Sequence, residues 1–321
     1  MRGDGLGAAG PASSAARVAA AAMVPVAGFG AIGAAVAGGR GAIVGVVCAG
    51  VLLAAGCAYG DRLALSAMLA RPVGEVEHPE LYRLVRELSK TGRLPVPRLY
   101  VSPAEQPNAF AVGRSPRTAS VCCTRGLLAL LDEAELRGVL GHELAHVSGR
   151  DLLAATVSAG LATIITFPAG LARLLPGRAG SPAPGSAAPG SPASGAAAPG
   201  APAPRRPGSS GLGPVEASLL LVLGPIAALV IRLAVSRARE YRADAAGASL
   251  SGDPVALANA LRKVDAGTAE LALAPDGRLT SVGHLMIACP FRPEGFARLF
   301  LTHPPAGERV RRLEALAGYR R

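Results

Sequence analysis

Four apolar stretches divide the chain. Residues 18–39 and 41–60 carry no charge, and only Arg40 stands between them. Each is long enough to cross a hydrocarbon core about 30 Å thick. Residues 152–172 form a third uncharged run between Asp151 and Arg173. The fourth, 217–231, is shorter and lies between Glu216 and Arg232. It spans only if Arg232 snorkels and 233–235 join it; otherwise the last two runs form a hairpin buried in protein or at the membrane interface. The first run exceeds the apolar core of a signal peptide and a second follows at once, so the pattern predicts an N-terminal membrane hairpin.

Between these runs the pattern changes. Leu81, Leu84, Val85 and Leu88 recur at helical spacing and predict an amphipathic helix over 78–93. Pro95 and Pro97 interrupt the chain, and 98–101, 109–112 and 119–123 read as short strands of a small sheet. Asp132 followed by Glu135 resembles a capping box opening a helix. Further helices are expected near 237–249, 254–264 and 305–317. Residues 176–214 are almost entirely Pro, Ala, Gly and Ser, a composition that cannot bury a core and reads as a disordered linker.

Composition sharpens this picture. Half of the 321 residues are apolar and the mean hydropathy is +0.36, high for a soluble domain. The formal charge of +11 comes from 31 Arg and two Lys, Lys90 and Lys263. The arginines are scattered or flank apolar runs and Trp is absent, which argues against nucleic acid as a partner. Membrane lipid is the expected partner instead. Arg2 and Arg17 precede the hairpin and Arg62 and Arg71 follow it, so the positive-inside rule places the N-terminus and the chain after 61 in the cytoplasm. The five Cys include no CxxC pair and read as reduced, buried small side chains.

His142-Glu143-Leu144-Ala145-His146 fits H-E-x-x-H. From this composition roughly 0.003 chance matches are expected. Two histidines four residues apart on one helix face can reach one Zn²⁺, and Glu143 can take a proton from water beside it. A catalytic zinc needs a third protein ligand and an open position. The candidates are His78, His284, His303 and the acidic residues. Glu240 is the best, because Asp244 stands one helical turn on and can orient a ligand histidine. Two crossings between 146 and 240 return the chain to the side it left, so these groups can converge.

The segments "GHELAHVSGRD", "SRAREYRAD", "PNAFAVG" and "THPPAGER" occur in an order that resembles the HtpX-like heat-shock membrane zinc proteases, relatives of the CAAX prenyl endopeptidases. The resemblance implies a mainly α fold: membrane-spanning helices with a gluzincin-like zinc protease domain that carries a small β-sheet. It implies that His142, His146 and Glu240 bind Zn²⁺, that Glu143 is the general base and that Asp244 supports the ligands from behind. His303 would stabilise the oxyanion, and Arg309 would assist it or orient the substrate. Asn108 and Ala109 would lie on an edge strand that pairs with an extended polypeptide substrate. Cys122 and Cys123 depart from the family pattern; as neighbours on a strand, at most one could reach the metal.

The expected organisation is a tail (1–17), a two-span hairpin (18–60), a first catalytic part (61–150), a third membrane helix (151–175), the linker (176–214), a fourth membrane helix (215–235) and a second catalytic part (236–321). The activity implied is hydrolysis of misfolded or damaged membrane proteins by a multi-pass cell-membrane enzyme whose active site faces the cytoplasm. Two other readings share these motifs: a CAAX-type processing peptidase, and a zinc-binding membrane scaffold without turnover. The intact Glu143 disfavours the scaffold.

Overall fold

The computed structural model describes residues 11–148, 151–171, 214–234, 236–273, 278–292, 299 and 303–318. The chain is mainly helical, with one small mixed sheet. Helix α1 (Pro11–Ala67) is bent back on itself at Ala37 and Gly38, where Gly38 takes φ +61°. That left-handed conformation costs a glycine little and other residues more. The two arms then touch backbone to backbone. A Cβ on Gly33 would lie 2.0 Å from the Gly41 carbonyl oxygen, and one on Gly45 would lie 2.1 Å from that of Phe29. The predicted N-terminal hairpin is therefore present as a shape. Its second arm continues past residue 60, through Asp61 and Arg62, to Ala67.

Among the described residues, only Ala22–Ala67 is long and apolar enough to cross a membrane. The apolar parts of α5 (Asp151–Leu171) and α6 (Pro214–Ala234) cover Leu152–Thr166 and Leu223–Leu233 and are shorter. Helix α5 packs on α1 through small residues. A Cβ on Gly160 would come 2.7 Å from the Gly56 carbonyl oxygen, and one on Gly60 would come 2.5 Å from that of Thr156. The expected linker, up to residue 213, lies outside the described residues.

Four strands, β1 (Arg71–Pro72), β2 (Arg98–Ser102), β3 (Ala109–Val112) and β4 (Ser120–Thr124), form a sheet in the order β1-β2-β4-β3. Strand β2 runs parallel to β4, whereas β3 runs antiparallel to it and forms one edge. Both faces are covered. Leu99, Ala109, Ala111, Val121 and Cys123 join the core built by the globular helices. Phe110, Val112 and Cys122 pack against Ala64, Leu65 and Met68 at the end of α1. Two-sided burial explains why these strands read as apolar runs rather than as alternating patterns. Cys122 and Cys123 point to opposite faces, and burial pushes the Cys123 thiol up to about 12 and that of Cys122 well above its ordinary value. Neither offers a thiolate to a metal.

Helix α2 (Pro79–Thr91) begins after His78 and buries the predicted Leu81, Leu84, Val85 and Leu88. The short α3 (Arg125–Leu130) leads into α4 (Glu133–Ser148), which carries the H-E-x-x-H motif. Its capping box forms as expected. The Asp132 amide donates to Glu135 at 3.1 Å and the Glu135 amide donates to Asp132 at 2.9 Å. Helices α7 (Arg237–Ser251), α8 (Pro254–Glu270), the short α9 (Leu279–Val282) and α10 (Ala306–Leu316) complete the fold. Helix α7 crosses α4 and fixes the site.

Candidate metal centre

Two glycines set the distance between α4 and α7. A Cβ on Gly247 would lie 2.6 Å from the His142 amide nitrogen, and one on Gly141 would lie 2.8 Å from the Gly247 carbonyl oxygen. With no side chains at the crossing, the backbones approach closely. Glu240 and Asp244, two turns and one turn before Gly247, are carried to the face that bears His142 and His146.

One atom from each of His142, His146 and Glu240 lies within 4.8 Å of the others. The two imidazole Nε2 atoms face one another at 3.2 Å. Glu240 Oε1 lies 3.7 Å from His146 Nε2, and Oε2 lies 4.0 Å from His142 Nε2. A tetrahedral ion with metal–nitrogen bonds of about 2.0–2.1 Å needs an N···N separation of about 3.3 Å. The donor set therefore fits one ion. The cleft beside it, lined by Ala111, Glu143, His146, Arg239, Glu240 and His284, holds a cavity of about 30 Å³, enough for an ion or a water.

The protonation states suit a ligand role. Burial is the main cause that brings His146 down to about 4, with His142, Arg239 and Arg309 adding to it against the Glu240 charge. Its imidazole is neutral at pH 7 and has a lone pair to offer. Burial works to raise the Glu240 carboxyl, but the neighbouring His303, His146 and Arg309 outweigh it and hold the group well below the usual range. His142 Nδ1 lies 3.0 Å from Asp244 Oδ1. Burial also works to raise Asp244, but the Arg309 charge and hydrogen bonds from Arg309 and His142 bring it down to about 2. An ionised Asp244 holds the His142 proton on Nδ1 and leaves Nε2 free toward the ion site.

Arg309 lies behind His142 rather than on the cleft wall. It is 2% exposed, and its Nε and one terminal nitrogen bind both Asp244 oxygens at 2.8 and 2.7 Å. Its other terminal nitrogen donates to the Ile287 carbonyl at 2.7 Å. The expected contact with substrate is therefore replaced by an ion pair that locks the Asp244–His142 hydrogen bond.

Glu143 is buried, and its Oε2 has no hydrogen-bond partner. Burial, then the Glu240 charge, push its carboxyl up to about 8, against Arg309 and a hydrogen bond from the Ala111 backbone. A dication held by the adjacent donors would draw it back down. His303 Nδ1 lies 3.1 Å from Glu240 Oε2, while its buried Nε2 has no partner. His284 also lines the cleft. It meets Ser158 Oγ at 3.0 Å but is not one of the three converging donors. His78 lies at the start of α2 and is not one of them either.

Strand β3 is the edge strand, but the first part of that edge is occupied. The Ile287 amide donates to the Ala109 carbonyl at 2.9 Å. Asn108 Nδ2 donates to the Ala288 carbonyl at 3.0 Å, and Asn108 Oδ1 accepts from the Ala288 amide at 3.3 Å. Asn108 and Ala109 thus clamp the 287–288 segment. Ala111, two residues on, presents its backbone to the same side and borders the cleft with Glu143. Sequence reading missed Ala111. Its only available signal was the period of two from Ala109.

The sequence profile of peptidase family M48 matches residues 75–317. A protein named "Protease HtpX homolog" from Kineococcus radiotolerans is 51% identical over 259 residues, covering 81% of this chain and 80% of the relative. A protein of the same name from Paenarthrobacter aurescens is 46% identical over 265 residues, with 81% and 82% covered. Another, from Syntrophobacter fumaroxidans, is 38% identical over 289 residues, with 89% and 93% covered.

Proposed function

This chain belongs to peptidase family M48, and we propose that it is a zinc endopeptidase anchored in the cell membrane by the α1 hairpin, with membrane polypeptides as substrates. The observation that carries the reading is the convergence of His142, His146 and Glu240, with Glu143 beside them. Zinc held by those three residues would polarise a scissile carbonyl and acidify water.

The chain's own residues divide the remaining work. Glu143 Oε2 accepts a proton from the attacking water and returns it to the leaving amine. Its buried, unpaired oxygen supports that role, since nothing competes for the lone pair. His303 Nε2, buried and unpartnered, donates to the developing oxyanion. Asp244 and Arg309 position His142 and do not touch substrate. Past the stretch covered by 287–288, an extended polypeptide donates to the Ala111 carbonyl, since the Ala111 backbone amide serves Glu143 and the Gly113 amide is taken by Thr156.

The outward face of α1 supports membrane insertion. Ile43, Val47 and Val51 recur at one-turn spacing and are each more than half exposed. A stripe of this kind is costly in water and stable in lipid. We read the two arms as two crossings, with α5 and α6 completing a multi-pass anchor and the site facing the cytoplasm. Substrates drawn from misfolded or damaged membrane proteins accord with the motif resemblance to heat-shock membrane proteases and with a cleft bordered by Leu152 and Ala155 of α5. The test is Glu143→Gln: hydrolysis of an unfolded membrane-protein substrate should fall to background while stoichiometric zinc is retained. Hydrolysis at the wild-type rate would exclude Glu143 as the base.

A further inference from the structure

A second cavity lies away from the metal site, where α1 leaves its apolar stretch. Its volume is about 430 Å³, and its polar wall is Asp61 and Arg62 of α1, Arg98 and Tyr100 of β2, and Arg114 and Arg117 of the loop between β3 and β4. Four guanidinium groups thus face one carboxylate. Among the described residues no carboxylate lies within 4.0 Å of any of the four. The Arg98 guanidinium donates only to the Thr118 carbonyl, at 3.5 Å, and that of Arg62 lies 5.8 Å over the exposed ring of Tyr59. Six other arginines, Arg83, Arg86, Arg125, Arg137, Arg262 and Arg312, pair with glutamates, and the exposed Arg71, Arg93 and Arg311, which do not, lie outside this cavity. A clustered net charge of three without counter-ions is costly unless an anion joins it.

The position identifies that anion. Asp61 and Arg62 are the first charges after residue 40 on α1 and so mark the membrane boundary. Tyr59, half exposed beside them, is the residue type that favours the headgroup layer. The same cavity is bordered on its apolar side by Ala58 and Leu65. Val51, two turns before Ala58 on the same face, is exposed and continues an apolar path into the bilayer. We propose that this arginine cavity is a binding site for the phosphate of an anionic phospholipid, whose acyl chains lie along the outer face of α1. The arginine forks take the phosphate oxygens, and Asp61 accepts from a headgroup hydroxyl. This site rests on the reading of α1 as membrane-inserted and is independent of the hydrolytic reading.

The test uses the full chain, purified in neutral detergent with zinc, and counts retained lipid by mass spectrometry. Phosphatidylglycerol should be retained at least tenfold over phosphatidylcholine. R98A/R117A should lower that retention by about 30-fold, from roughly fivefold per cationic side chain near a lipid surface. K90A/R311A, which removes the same charge at exposed positions outside the cavity, should change it less than twofold. Zinc content and hydrolysis in detergent should be the same in all three proteins, which shows that they are folded. Equal retention of the two lipids by wild type, or an equal loss in K90A/R311A, overturns the proposal. Displacement of the lipid by millimolar inorganic phosphate makes this a free-anion site and also overturns it. Reconstitution separates the premises: a chain that does not float with vesicles refutes membrane insertion, whereas one that floats without lipid preference refutes only the headgroup site.

Discussion

Gly247→Ala tests how the site is assembled. The added methyl carbon would lie 2.6 Å from the His142 amide nitrogen and 2.7 Å from its Cα. Ordinary contact begins near 3.4 Å, so α7 must retreat from α4 by about 0.8 Å. Metal–ligand distances tolerate only about 0.2 Å. The retreat carries Glu240 and Asp244 together, because both are on α7. Stability should change much less. Overpacking costs about 1–3 kcal/mol, and alanine recovers about 1 kcal/mol of helix propensity. The expected result is a thermal midpoint within several degrees of wild type, together with a zinc affinity and a peptidase rate about 100-fold lower. Chelator competition, turnover of an unfolded substrate and a melting curve measure the three quantities. A variant with wild-type zinc affinity and rate would show that the glycine crossing does not set the ligand geometry.

Other outcomes follow from the same geometry. His303→Ala should keep its zinc and lose about 10²–10³ in kcat with KM little changed, as measured by steady-state hydrolysis. Asp244, brought down to about 2 from an ordinary value of 3.8, contributes stability that is complete above about pH 4 and lost as the pH falls through about 2. That contribution is about 2 kcal/mol, so the thermal midpoint in chelator should drop between pH 4 and pH 2. D244N should be less stable at pH 7, because Arg309 is then buried without its partner, and should show a flatter acid limb. For the hairpin, R40C should react with a membrane-impermeant maleimide from outside intact cells, whereas K90C should react only after permeabilisation.

Several features were legible in the sequence because local rules decide them. The Asp132–Glu135 box, the amphipathic face of α2 and the placement of both histidines on one side of α4 need only helical periodicity. Glu240 needed more: with Asp244 one turn on it has a ligand-and-support spacing, but among so many arginines it reads as an exposed charge until the two apolar runs between 146 and 240 return the chain to the same side. The features that escaped depend on contacts between distant segments. Asn108 beside an edge strand reads the same whether its amide meets a substrate or, as here, the backbone of Ala288 180 positions later. Arg309 reads as a cleft cation until α10 and α7 bring it onto Asp244. Gly141 and Gly247 look like two of 41 glycines until the crossing makes their missing side chains necessary. The continuation of α1 to Ala67 was hidden by Asp61 and Arg62, which mark the end of the apolar stretch but not of the helix.

One ion held by two imidazoles and one carboxylate has a distinctive X-ray absorption signature at the zinc edge of the purified chain. The expected result is one zinc per chain, a ligand shell of nitrogen and oxygen at about 2.0–2.1 Å, and loss of that bound zinc in Glu240→Ala. A sulfur shell at about 2.3 Å, or an unchanged spectrum in Glu240→Ala, would contradict it.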